Sequence, residues 1–244
     1  MLVNKNEIVK YLKKIFLDGK VGEVVFDKSF EVSAASIDSS VIIAGRSGFP
    51  LSERIGVYDL GLLIKLLSQS IVADEIVMDV EKNRVVFGNK DEGKVSYLLS
   101  DVDVISTNVK NKGGTQAMLD EFKSKLSLHF LVPQNFMENY KRLYGLLRPS
   151  YVMFKVKDGV VTAVLGAKIE HNAELKVYAG ESVEGEFSIM FDAALLDAVL
   201  KNCDFSVEIW LGENSPMVVL NGDVMYGVSP VEGIKVEEKD GVMD

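Results

Sequence analysis

The chain repeats itself at long range. Val57-Tyr58-Asp59 runs into Leu60, Leu63, Leu66 and Leu67, then into Glu75-Ile76-Val77-Met78 and Val85-Val86-Phe87. Displaced by 133 positions, Met190-Phe191-Asp192 runs into Ala193, Leu196, Val199 and Leu200, then into Glu208-Ile209-Trp210-Leu211 and Val218-Val219-Leu220. The register extends without an insertion to Gly88-Asn89 against Asn221-Gly222, read as a turn. Apolar periodicity alone matches apolar positions, but it does not demand the aspartate, the glutamate and the turn as well. A repeat of this length is two copies of one helix-plus-strands unit, and it sets the fold before any local reading. A chain of 244 residues then divides into two domains of similar size.

Local patterns fill in each copy. Residues 4–17 read as an amphipathic helix with Asn4 as N-cap, Ile8, Leu12, Ile15 and Phe16 on one face and Lys10, Lys13 and Lys14 on the other. Short strands follow at 24–26, 30–35, 41–44 and 55–58, around a loop at 45–51. The repeated helix spans 59–69, two strands turn at Glu81-Lys82-Asn83, and Val95–Leu99 ends the first half. From 100 to 123 periodicity fades and Asp, Ser, Asn, Lys and Gly dominate, so this stretch reads as a linker. The second half opens with a strand at 126–131 and a helix at 134–147, whose Phe136, Tyr140, Leu143 and Leu147 oppose Lys141, Arg142 and Arg148. Strands at 151–156, 160–169, 175–179 and 187–191 lead to the second repeated helix, and strands at 206–211, 217–220 and 224–228 complete the copy. The expected fold is α+β: duplicated helix–strands–helix–strands domains with antiparallel sheets. The expected boundaries are 1–100, a linker at 101–123, and 124–244.

Charge is unevenly spread. The chain carries −9 overall, yet residues 4–18 hold Lys5, Lys10, Lys13 and Lys14 against Glu7 and Asp18. Residues 134–148 hold Lys141, Arg142 and Arg148 against Glu138. These two helices therefore sum to +4 and the remainder to −13, which segregates positive charge onto equivalent helices of an acidic protein. A charge run on an amphipathic helix is ordinarily a solvated face; its recurrence in both halves favours a phosphate-facing surface.

Motifs of catalysis are missing. The sequence contains no G-x-G-x-x-G, P-loop, G-x-S-x-G or H-E-x-x-H, and His129 and His171 have no second ligand at metal spacing. The single Cys203 excludes an internal disulfide and a cysteine-based zinc site. No cofactor and no enzymatic activity is expected. No apolar run is long enough to span a bilayer, and no signal peptide is evident, so the chain reads as soluble and cytoplasmic.

Two helix–strands–helix–strands copies, basic helix faces, an acidic remainder and a central linker resemble the DNA sliding clamps. The similarity is strongest to the processivity clamps of T-even-type tailed phages, on Val57-Tyr58-Asp59-Leu60 running into Leu66-Leu67, the overall length and the lysine-bearing first helix. The resemblance implies a homotrimeric ring around double-stranded DNA, with helices lining the hole and sheets outside; the residues alone leave two or three subunits open. It implies a DNA polymerase and a clamp loader as partners, host RNA polymerase with late-transcription factors as a further one, and the host-cell cytoplasm as location. Hole-lining candidates are Lys10, Lys13, Lys14, Lys141, Arg142 and Arg148, with Lys65 and Lys201 from the repeated helices. A partner-peptide pocket beside the linker is expected from Phe49, Pro50, Met118, Leu119, Phe122, Val228 and Pro230. Ring closure is expected to pair Val95–Leu99 with Leu175–Ala179 of the next chain. Two other classes stay compatible with the residues: a structural virion protein, such as a tail or capsid accessory subunit, and an enzyme of unrecognised type.

Overall fold

Alternation of buried and exposed side chains dictates sheets here, and helical spacing dictates what covers them. The computed structural model describes residues 2–27, 31–47, 53–69, 74–89, 93–105, 114–166, 171–180, 185–203 and 206–231. In the first half the order is β1 (Leu2–Asn4), α1 (Lys5–Phe16), β2 (Val24–Phe26), β3 (Glu31–Ala35), β4 (Val41–Arg46), β5 (Ile55–Val57), α2 (Leu60–Leu67), β6 (Glu75–Glu81), β7 (Arg84–Asn89) and β8 (Gly93–Leu98). Then come α3 (Gly114–Lys125), β9 (Leu128–Leu131), α4 (Gln134–Leu147), β10 (Tyr151–Lys157), β11 (Val160–Leu165), β12 (Ala173–Ala179), β13 (Phe187–Asp192), α5 (Ala193–Lys201), β14 (Val207–Leu211), β15 (Met217–Asn221) and β16 (Val224–Val228).

All described strand pairs are antiparallel. One sheet has the order β1-β6-β7-β8 and another β12-β11-β10-β13. The third has eight strands, β5-β2-β3-β4-β16-β15-β14-β9. This large sheet is one four-stranded sheet of each half fused edge to edge, the two being unlike members of the repeat: β4 of the first half pairs with β16 of the second, Val41 opposite Val228. The repeat counterparts of those two strands, β12 and β8, lie at open sheet edges.

The two faces of the eight-stranded sheet carry different cores, as a period of two requires. Ile43, Tyr226 and Ile209 point into the main core with Ile8, Leu12 and Ile15 of α1 and with Leu195 and Leu196 of α5. Their neighbours Ala44, Met225 and Trp210 point to the other face, against Leu119 of α3 with Phe122 and Leu126 packed beside them. Helices α1, α2, α4 and α5 therefore share the side from which α3 is excluded. α1 packs on α2 and α4 on α5, and the short turn after α1, Leu17–Gly19, meets α5.

Two expectations need correction. Residues 114–123 of the linker are helical: Thr115, Leu119, Phe122 and Leu126 recur at helical spacing and pack outward on the sheet, a period hidden by the polar residues between them. The repeat also slips. Val77 and Trp210 are 133 apart, but their partners Gly88 and Val218 are 130 apart, because β6 is two residues longer than β14 and the connecting turns differ. Gly88-Asn89 accordingly ends a strand, whereas Gly222 lies in the turn after β15.

Candidate nucleic-acid interface

The sequence positions the basic residues through its helix ends. Asn4 caps α1, its side chain accepting from the Asn6 and Glu7 amides. Asp59 and Asp192 cap α2 and α5 in the same way, accepting from Leu62 N at 2.8 Å and Leu195 N at 2.7 Å. At the opposite ends, Lys13 and Lys14 occupy the last turn of α1, Lys65 that of α2 and Lys201 that of α5. Arg148 is the left-handed C-cap of α4, as Leu17 is of α1. A helix C-terminus carries roughly half a negative charge, so a cation there offsets it. Without these lysines the helix ends would repel phosphate.

Seven of the eight candidates are solvent-facing, Lys10, Lys13, Lys65, Lys141, Arg142, Arg148 and Lys201, and Lys14 is half-buried. Lys13, Lys65 and Arg148 have no ion-pair partner among the described residues. Lys141 and Lys201, though exposed, are partly engaged within the chain. Lys201 pairs with Asp18, tying α5 to the turn after α1 across the two halves. Lys141 Nζ donates to the Lys201 carbonyl at 3.4 Å and offsets the charge of Asp197, whose carboxyl is raised by burial between α4 and α5. Burial likewise pushes the Tyr140 phenol up, and its hydroxyl has no hydrogen-bond partner among the described residues.

The opposite face differs in chemistry. A cleft of about 360 Å³ lies where α3 crosses the β4–β16 seam, lined by Glu31, Arg46, Gln116, Leu220, Asp223 and Met225. Met118 and Phe122 are half-buried on α3, and Pro230 is half-buried beyond β16. Two expected pocket residues have no surface to offer: Leu119 is fully buried beneath its own helix, and Val228 points into the main core on the far side of the sheet. Phe49 and Pro50 lie outside the described residues. The sequence reading missed a cluster at the far end of α3, where Trp210 stacks on His129 at 4.2 Å and lies under Lys123 at 4.7 Å. His129 Nε2 is 2.7 Å from a Glu208 carboxylate oxygen. A period-two reading of β9 and β14 puts His129, Trp210 and Glu208 on neighbouring strands, but no local signal shows that those strands pair. Among the described residues no group of three or more His, Cys, Asp and Glu is gathered, and no helix is long and apolar enough to cross a membrane.

Helices on one side of edge-joined antiparallel sheets, duplicated within the chain, define the DNA-clamp fold. A. fulgidus PCNA, in a structure with the C-terminal region of FEN-1 bound, matches at a TM-score of 0.69 and 13% identity, over 96% of this chain and 98% of that one. PCNA from Entamoeba histolytica matches at 0.66 and 11%, over 93% and 96%. The DNA polymerase III β chain of Streptococcus pneumoniae TIGR4 matches at 0.67 and 12%, over 96% of this chain but 64% of that one, so the chain spans less than two thirds of the bacterial protein. No protein-family model and no curated sequence matches the chain.

Proposed function

We propose that this protein is a non-enzymatic sliding clamp, three copies of which close into a ring around duplex DNA and hold a replicative polymerase to it. The observation that carries this reading is the β4–β16 seam. The chain joins its own halves edge to edge, and among the described residues leaves one edge open on each of the repeat counterparts of the same two strands, β8 and β12. Open edges attract further strands. Pairing β8 of one chain with β12 of the next repeats the internal seam, as the expected pairing of Val95–Leu99 with Leu175–Ala179 requires, and Leu98 on β8 is 55% exposed. In such a ring the face shared by α1, α2, α4 and α5 turns inward and presents its lysines and arginines to phosphate without reading bases. Topological enclosure replaces tight contact, so weak, salt-sensitive attraction suffices for sliding.

On this reading the linker with α3 lies outside, and domains divide at 1–100 and 124–244. Partner peptides dock along that outer face; the C-terminal region of FEN-1 bound to A. fulgidus PCNA is a peptide partner of a protein with the same fold. Exposed apolar anchors recur there: Ile37 is 93% exposed two residues beyond Ala35, and Val104 is exposed beside Ile105, which packs on Ala35. With Met118, Phe122 and Pro230, these are the candidate contacts for polymerase and clamp loader. A phage origin, with late-transcription partners, rests on the sequence resemblance alone.

The test is native mass by light scattering, followed by retention on circular against linear DNA. Three chains of 26.9 kDa give about 81 kDa. Retention on closed circles with loss on linearisation is expected; a monomer at every concentration overturns the reading.

A further inference from the structure

The repeat permits a residue-by-residue comparison of the seam inside the chain with the seam between chains. Aligning the capping aspartates Asp59 and Asp192 places Leu62, Lys65 and Ser68 of α2 on Leu195, Ala198 and Lys201 of α5. Aligning the left-handed caps Leu17 and Arg148 places Leu146 and Pro149 on Ile15 and Asp18. At the internal seam, where the turn after α1 meets α5, Leu195 and Ala198 are each 2% exposed, and Ile15 and Leu17 are fully buried. Lys201 and Asp18 close the internal seam as an ion pair.

Their counterparts at the chain's two ends are open. Leu62 is 40% exposed and Leu146 is 76% exposed. Lys65 and Arg148 are exposed and have no ion-pair partner among the described residues. The positions of the internal ion pair hold Ser68 and Pro149, neither of which carries charge. The outer seam thus lacks the acid that secures the inner one and has two cations in its place.

We propose that neighbouring chains meet on the helical side through Leu62 and the partner subunit's Leu146, and that Lys65 with the partner subunit's Arg148 forms a composite phosphate site across that junction. The proposal rests on the sliding-clamp reading and adds a coupling to it. With no anion present the two cations oppose closure; a backbone phosphate of the encircled duplex bridges them and favours it. By linkage, DNA then tightens the ring to the same degree that the ring tightens DNA.

The experiment follows ring dissociation by light scattering over a dilution series, with and without a short linear DNA duplex, at low and high salt. For the unaltered chain, duplex is expected to lower the concentration at which the ring dissociates by about fivefold at low salt, with the gain disappearing at high salt. Arg148→Asp supplies the missing acid at a left-handed position that aspartate tolerates. It is expected to hold the ring together at lower concentration without DNA, by about threefold, and to gain nothing further from duplex. Lys65→Gln, which removes one cation without adding strain, is expected to lose the response to duplex while still forming rings. A ring that dissociates equally with and without duplex, or an Arg148→Asp ring no tighter than the original, overturns this inference and leaves the clamp reading standing. Monomers at every concentration overturn both.

Discussion

Asp59 and Asp192 stand 133 positions apart and make the same bond, each carboxylate accepting the backbone N–H three residues ahead at the start of a short, mostly apolar helix. Neither helix is long enough to hold itself together by propensity, so each depends on its cap and its buried face. Replacing either aspartate by alanine is expected to cost about 1 kcal/mol of stability in denaturant unfolding, and replacement by asparagine much less. Equal losses at both sites would mark them as one device used twice.

Tyr97 reaches the same cap from β8. Its hydroxyl accepts from Asp59 N at 2.9 Å and donates to Asp59 O at 3.1 Å, and burial pushes its phenol up to about 12. A raised acid favours the folded state while it stays protonated. That contribution is complete below pH 10 and is lost as pH climbs through about 12. Alkaline unfolding should therefore steepen across this window, and Tyr97→Phe should flatten it; phenolate absorbance in step with circular dichroism measures both.

On the face of the sheet covered by α3, Leu119 sits against Gly227, where an added Cβ would fall 2.5 Å from Leu119 Cδ2. Leu119→Ala is expected to cost about 2–5 kcal/mol, the range for emptying a packed core site. Gly227→Ala is expected to lift α3 from the sheet. Trp210 is the chain's single tryptophan and packs in the same cluster, so its fluorescence reports α3 undocking directly.

If the face shared by α1, α2, α4 and α5 lines a ring, its expected signature is a salt slope. Replacing Lys10, Lys13 or Lys14 by alanine should weaken retention on DNA of any sequence alike. Each lost phosphate contact should flatten the plot of log affinity against log salt by about 0.9. A change that depended on sequence would argue against a purely electrostatic surface.

The sequence exposed what is local and repeated. The limits of α1 and α4, the cap at Asn4, and the hairpin turn at Lys82-Asn83 all followed from periodicity and capping chemistry. Its failures were of long range. β1 escaped because three residues carry no period, and it is a strand only because β6 pairs with it. The sequence of α3 resembles a linker because Leu119 and Phe122 are diluted by charge, and only the sheet beneath them shows that they are one face. Tyr58 and Phe191 align in the repeat, yet Tyr58 is exposed and Phe191 is buried; which side of a strand end meets the core is set by the sheet, not by the match. The basic set was legible as a list. That Lys201 is tied to Asp18 required the two halves to be brought together, and that Lys141 reaches the end of α5 required α4 and α5 to pack side by side.

The seam of β4 against β16 joins unlike edges, the end of one copy's sheet to the far end of the other's. A contact of that kind has direction. If it propagates from chain to chain, every subunit faces the same way round, and the two flat sides of the resulting assembly are chemically distinct. A protein captured from one side would then always travel with the same orientation along the double helix, ahead of the ring or behind it but never either at random.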